Sequence, residues 1–208
     1  MLYNVGKDYR ISINKEGESM EYLEKGKEIL KILINNGFEA YFIGAAARNT
    51  IMSLPINEIE ITTSATPSAI KGIFEFTKVE EITEGIIKVR YYSDDYYFST
   101  FRVPNKNRKG LDQVHYSKSL RDELSCRDFT VNAIAMSHSG KMTDGYNGYN
   151  DIRKKKVRLI GTARNVFSDN PVSMLIAIRF VSELNFKLTG KVSRGIYANR
   201  KRLLNINP

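Results

Sequence analysis

Apolar residues at Leu23, Ile29, Leu30, Leu33 and Ile34 recur at near-helical spacing and stop at Asn35-Asn36-Gly37. That period places them on one face of a helix, and a glycine just past the stripe is a favoured stop, so a helix is predicted over about 19–36. The short run at 39–43 then reads as a strand entering a turn at Gly44, from which a second helix runs to about Met52. A further strand is predicted over 58–62, and Thr66-Pro67 opens a helix with proline near its first position. Segments 86–92 and 96–102 alternate bulky and polar residues around Ser93-Asp94-Asp95, as two antiparallel strands do.

The stretch 103–117 is polar and turn-rich and reads as a mobile loop. Helices are predicted at about 119–125 and 127–136, followed by a turn-rich piece at Asp144-Gly145-Tyr146-Asn147-Gly148. A helical neck begins near Pro171, with Met174, Leu175, Ile178 and Val181 as its apolar stripe. The fold class that follows is α/β (α+β): a mixed, mainly antiparallel sheet with flanking helices, then a helical neck. The division expected is 1–150 for the sheet-bearing unit and 151–208 for a linker and partial neck.

Composition narrows the function classes. The 208 residues are 42% apolar and 26% charged, ordinary for a soluble globular chain able to bury a core. No apolar run approaches about 18 residues, and Met1-Leu2-Tyr3-Asn4-Val5 lacks the apolar segment of a signal peptide, so the reading is cytoplasmic with no membrane partner. Cys126 is the one cysteine, which excludes an intrachain disulfide, and His115 and His138 lack ligand spacing, so zinc is not expected. The net charge of +9 suits a polyanion such as RNA or a nucleoside triphosphate. Basic residues gather at Arg153-Lys154-Lys155-Lys156 with Arg158 and at Arg200-Lys201-Arg202, where they either track a backbone or form a solvated helix face.

The chemistry-bearing feature is a carboxylate pair, Glu58 and Glu60, following the Gly44 turn and the helix that contains Arg48. Residues i and i+2 of a strand share a face, so both acids can reach one metal cluster that grips a nucleotide's phosphates. Three other stretches accompany them: Ser99-Thr100-Phe101-Arg102, Cys126-Arg127-Asp128-Phe129-Thr130-Val131-Asn132-Ala133 and Ile61-Thr62-Thr63-Ser64-Ala65-Thr66-Pro67. With Gly44-Ala45-Ala46-Ala47-Arg48-Asn49 they make residues 20–187 resemble the head domain and early neck of the bacterial (class II) CCA-adding enzyme and poly(A) polymerase family, a branch of the polymerase-beta-like nucleotidyltransferases. The resemblance implies a nucleotidyltransferase head at 1–150. It also implies magnesium, held by Glu58 and Glu60 as catalytic and metal residues, and addition of CTP or ATP to a tRNA 3′ end. Nucleotide contacts would come from Gly44, Ala45, Arg48, Arg127, Asp128, Asn132, Asp169 and Asn170, and RNA or phosphate contacts from Arg102 and Arg179.

This chain departs from the family pattern at several of these positions. Ala45 replaces a second glycine, and Glu58 and Glu60 replace two aspartates, moving each carboxylate by roughly 1 Å, a misplacement that can cost about a hundredfold in rate. Tyr97 stands where a third acidic residue is expected, and a phenol is a poor magnesium ligand. Cys126 replaces an arginine, Ile176 replaces another, and Asp169-Asn170-Pro171-Val172-Ser173 replaces the Glu-Asp-x-x-Arg strip that selects the base, with the arginine fork lost. Each has a plainer reading beside it: a solvated strand pair for Glu58 and Glu60, helix capping by Asp128 and Thr130, a helix start with Asp169 or Asn170 as N-cap and Pro171 first, and sheet packing rather than base stacking for Tyr91, Tyr92, Tyr96 and Tyr97.

The expectation is therefore a homologue with eroded catalytic and base-selection motifs, weakly active or inactive, that still binds nucleotide or RNA; magnesium enters only if it is active. The alternatives are a working magnesium-dependent RNA 3′-end transferase using Glu58 and Glu60, and a non-catalytic interaction module.

Overall fold

The computed structural model describes residues 9–103 and 115–205. Residues 104–114 of the loop expected at 103–117 lie outside the described residues. In chain order the elements are α1 (Tyr9–Asn35), β1 (Ala40–Ile43), α2 (Ala45–Met52), β2 (Ile59–Thr63), α3 (Pro67–Ile73), β3 (Lys78–Thr83), β4 (Ile86–Tyr91), β5 (Asp94–Thr100), α4 (Leu120–Ser125), β6 (Ile134–Met136), β7 (Met142–Asp144), α5 (Gly148–Arg153), β8 (Lys156–Val157), α6 (Ala163–Asp169), α7 (Ser173–Leu184), β9 (Lys187–Leu188) and α8 (Gly190–Asn199). Local chemistry sets several boundaries. Thr66 caps α3 by accepting from the Ala69 N–H, with Pro67 first in the helix, and Thr162 caps α6 by accepting from Asn165 N–H.

Seven strands form one sheet in the order β3-β4-β5-β2-β1-β6-β7. Only the central β2–β5 pair is parallel, so the sheet is mixed and mainly antiparallel, as expected. One face carries Phe42, Ile59, Ile61, Ile87, Val89 and Phe98 and is covered by Ile29, Leu30 and Leu33 of α1 and Ile70 of α3. Each such buried side chain contributes about 1.5–3 kcal/mol. The opposite face, carrying Glu60, Thr62, Tyr97 and Ser99, is left for the site. A second core joins Phe129, Val131 and Ile134 to Phe167 of α6, Met174, Ala177 and Phe180 of α7 and Val192 of α8.

Several expectations are corrected. α1 starts at Tyr9, because the polar sequence ahead of Ser19 has no apolar period to announce it. The exposed strand β3, largely charged, was not foreseen. No helix runs over 127–136: a single 3-10 turn at Thr130–Asn132 leads into β6. The backbone there bonds across to another segment rather than up a helix, since Thr130 N–H donates to Arg158 O, Ile160 N–H donates to Asp128 O, and Phe129 bridges to Leu159. Asp128 and Thr130 accordingly cap no helix.

The neck helix α7 begins at Ser173, near Pro171 as expected, but Pro171 is not its first residue. Asp169 is the last residue of α6 and Asn170 its C-cap, so neither is an N-cap. The buried face of α7 is Ser173, Met174, Ala177 and Phe180, while Leu175, Ile178 and Val181 are 50%, 48% and 40% exposed. Arg179, Ser182 and Glu183 mark the polar side of this helix, opposite Ala177, so the stripe expected from Leu175, Ile178 and Val181 was drawn on the wrong side.

Candidate functional site

Strand β1 ends at Ile43, the register partner of Glu60 on β2, and the chain turns at Gly44 into α2. Gly44 has φ 65, and a Cβ built on it would stand 2.7 Å from Glu60 Oε2. The turn needs glycine twice over, for its left-handed backbone and for the carboxylate resting on it. Glu58 lies one residue before β2 and is exposed. Both acids line a cleft of about 240 Å³ together with Gly44, Ala45, Arg48, Asn132, Arg179 and Phe180. Tyr97 is Glu60's register partner on β5, so the phenol stands beside the carboxylate on the site face. Tyr96, by contrast, is fully buried, and Tyr91 and Tyr92 pack edge-on against each other.

Glu60 is not alone. Its Oε1 lies 2.6 Å from Arg127 Nη1, whose Nη2 is 2.7 Å from Oε1 of Glu123. Glu123 has no exposed surface and also receives Arg102, through Nε at 3.0 Å, Nη2 at 2.9 Å and the backbone N–H at 3.1 Å. Burial alone would raise the Glu123 carboxyl, but Arg127 and Arg102 outweigh it and hold it below the usual range. The same partners raise both guanidiniums against the opposing effect of burial. A buried charge survives only when paired and hydrogen-bonded, and here two acids and two arginines satisfy one another. Sequence reasoning missed Glu123; its one signal was an i,i+4 spacing to Arg127.

The other wall is built around Arg48, only 8% exposed. Its Nη1 donates to Asn132 Oδ1 at 2.6 Å, its Nη2 to Asn49 Oδ1 at 3.0 Å, and its guanidinium lies 5.2 Å from the Phe180 ring. Its Nε is buried without a partner. Burial first, then the like charge of Arg179, lowers its pKa to about 10. Arg179 is exposed and paired with Glu183 at 2.8 Å.

The remaining sequence-predicted residues turn away from the cleft lining. Asp128 Oδ2 accepts from Asn170 Nδ2 at 2.9 Å and from the Ser173 hydroxyl, tying the segment after α4 to the start of α7. Asp169 is exposed at the end of α6. Thus Gly44, Ala45, Arg48, Glu58, Glu60, Asn132 and Arg179 converge on one cleft, whereas Arg102, Arg127, Asp128, Asp169 and Asn170 do not line it.

A family model described as the poly A polymerase head domain matches residues 40–158, more than half of the chain. The chain belongs to that family. Its similarity extends to the CCA-adding enzyme of Staphylococcus epidermidis, 37% identical over 172 residues, which are 82% of this chain and 43% of that protein. The CCA-adding enzyme of Lactobacillus gasseri is 35% identical over 181 residues, 86% of this chain and 46% of its own length. Among solved structures, the Bacillus stearothermophilus CCA-adding enzyme in complex with CTP superposes with a TM-score of 0.80 at 32% identity, over 89% of this chain and 45% of that one. The chain thus spans under half the length of the relatives it matches. None of its helices, among the described residues, is long and apolar enough to cross a membrane.

Proposed function

We propose that this chain is a nucleotidyltransferase-type head in which the transfer chemistry is weak or lost while a nucleotide- and RNA-binding cleft is kept. One observation carries the reading: the Glu60 carboxylate is drawn to Arg127 through Oε1, with its other oxygen resting against the Gly44 turn. With Tyr97 beside it in register, no cluster of three or more acidic, histidine or cysteine side chains able to hold a metal is found among the described residues. Arg127 on Glu60 and a phenol in register beside it argue against a seated pair of magnesium ions, for which Glu58 and Glu60 are the carboxylates at hand.

What the side chains offer instead is anion recognition. Arg48 and Arg179 place two cations on the cleft beside Glu58, Glu60 and Glu183, and the relatives' CTP-bound and CCA-adding names support a nucleoside triphosphate and RNA as ligands. Base choice is relaxed, because Asn170 and Ser173, which stand in the base-selecting strip, are engaged with Asp128. Residues 1–150 are read as the head and 151–208 as linker and partial neck.

A working transferase is favoured by one feature, since Glu58 lines the cleft with no ion pair to a described residue. One experiment decides. The chain is incubated with Mg²⁺, labelled CTP or ATP and tRNA lacking its CCA end, while calorimetry follows nucleotide binding. Binding without incorporation is expected; incorporation abolished by Glu58→Ala would overturn the reading.

A further inference from the structure

Among the described residues Phe76 is the most exposed large apolar side chain, at 94%. It stands in the turn between α3 and β3, and that turn is fastened. The Thr77 N–H and the Thr77 hydroxyl both donate to Phe74 O, at 2.9 and 2.8 Å, and the Phe74 ring is buried against Phe98. A lone apolar residue on a surface is ordinary, but one held at the tip of a closed turn loses little freedom on entering a pocket. Beside it Glu75 is exposed and has no ion pair to a described residue, whereas Glu80 and Glu81 are answered by Lys78, Lys88 and Lys71. The protrusion is thus an apolar ring with one uncompensated carboxylate.

The complement lies in the later part of the sequence, where the positive charge gathers. Residues 151–208 hold 13 Lys and Arg against three Asp and Glu, a net +10, so residues 1–150, with 19 against 20, stand at −1. A groove of about 550 Å³, ample for a phenylalanine side chain, takes half its lining from Ile51, Met52, Leu54, Ile152 and Leu184. The same lining carries Arg153 and Lys155, both exposed and neither with an ion pair to a described residue. Glu183, the acid on that wall, is already paired with Arg179. Lys156 and Lys187, exposed register partners on β8 and β9, lie outside the lining and add to the positive field. The ring cannot fill the groove of its own chain. The edge strand β3 is four strand spacings from β1, which feeds α2, about 19 Å at 4.8 Å each, and the turn is rigid.

We infer that this chain associates head to tail with a second copy: Phe76 of one enters the groove formed by α2, α5 and α7 of the next, and Glu75 meets Arg153 and Lys155. The two surfaces differ, so the contact is heterologous and every pair keeps one protrusion and one groove free. The groove shares Glu183 and Leu184 with the carboxylate-lined cleft, so the neighbour's turn stands beside that cleft. The contact needs no nucleotide and stands apart from the reading of the cleft.

The test is sedimentation equilibrium of the full chain at about 10–500 µM, the range for a contact smaller than a standard interface. Salt is set at about 150 mM, where a Debye length of about 8 Å screens the overall charge of +9 but not a pair in contact. The average mass is expected to rise with concentration beyond that of one chain. Phe76→Ser, and separately Arg153→Glu with Lys155→Glu, are each expected to weaken association at least about tenfold. An equimolar mixture of the two variants is expected to pair again, because Phe76 of the second meets an unaltered groove on the first, and the mass then stops at two chains. A chain that stays single throughout, an association that survives Phe76→Ser, or a mixture of the variants that stays unpaired overturns the inference.

Discussion

The network around Glu123 and the lysine edge of β8 and β9 handle charge in opposite ways. In the first, two carboxylates and two guanidiniums, with Glu123 fully buried and Arg127 nearly so, are each paired inside the molecule. In the second, cations stand in solvent with no counter-charge described within the chain, two of them opposed in register. Charge consumed internally holds a fold together, and charge left unanswered is available to another molecule. On that contrast, the arginines that resemblance would assign to phosphates, Arg102 and Arg127, serve structure, whereas Lys156 and Lys187 face solvent.

The largest effect expected is at the centre of the paired cluster. Glu123→Ala strands two guanidiniums without their buried partner and should lower unfolding free energy by about 3–5 kcal/mol in urea denaturation. Lys156→Gln should stay within about 0.5 kcal/mol, as exposed substitutions do; equal losses at the two sites would erase the contrast. Gly44→Ala comes next, at about 1–2 kcal/mol, because an alanine at φ 65 is strained and its methyl group displaces the Glu60 carboxylate. A structure of that variant with Glu60 still on Arg127 would refute the coupling. The smallest effect is on acid stability. The Glu123 carboxyl titrates below its ordinary value of 4.5 when folded, so its contribution is complete above that pH and fades as pH falls through the lower folded value. Glu123→Gln should therefore make the stability curve shallower below about pH 4.5, measurable by thermal melts across that range.

The sequence made the scaffold legible where patterns are local. The α1 stripe, the Gly44 turn, the Thr66-Pro67 start and the β4–β5 hairpin all announce themselves within a few residues, and each is present. The Glu58 and Glu60 pair was visible by its spacing. What stayed hidden depends on partners distant in the chain. Asp128 looked like a cap because the residues that bond it, Asn170 and Ser173, lie 42 and 45 positions away. Segment 127–136 looked helical because its cross-chain bonds to 158–160 leave no periodic trace. Glu123 went unremarked, since nothing local shows that two arginines close over it.

The contact between Glu60 and Gly44 bears on how such a chain could change over generations. The longer glutamate arm reaches Arg127 while its other oxygen sits against bare backbone. Shortening it to aspartate withdraws the carboxylate by about one carbon–carbon bond and leaves a guanidinium with little access to water to Glu123 alone. On the proposed reading, regaining the ancestral acid takes concerted replacement at several positions, each harmful when made first. Packing thus works as a ratchet that makes the loss of chemistry hard to reverse.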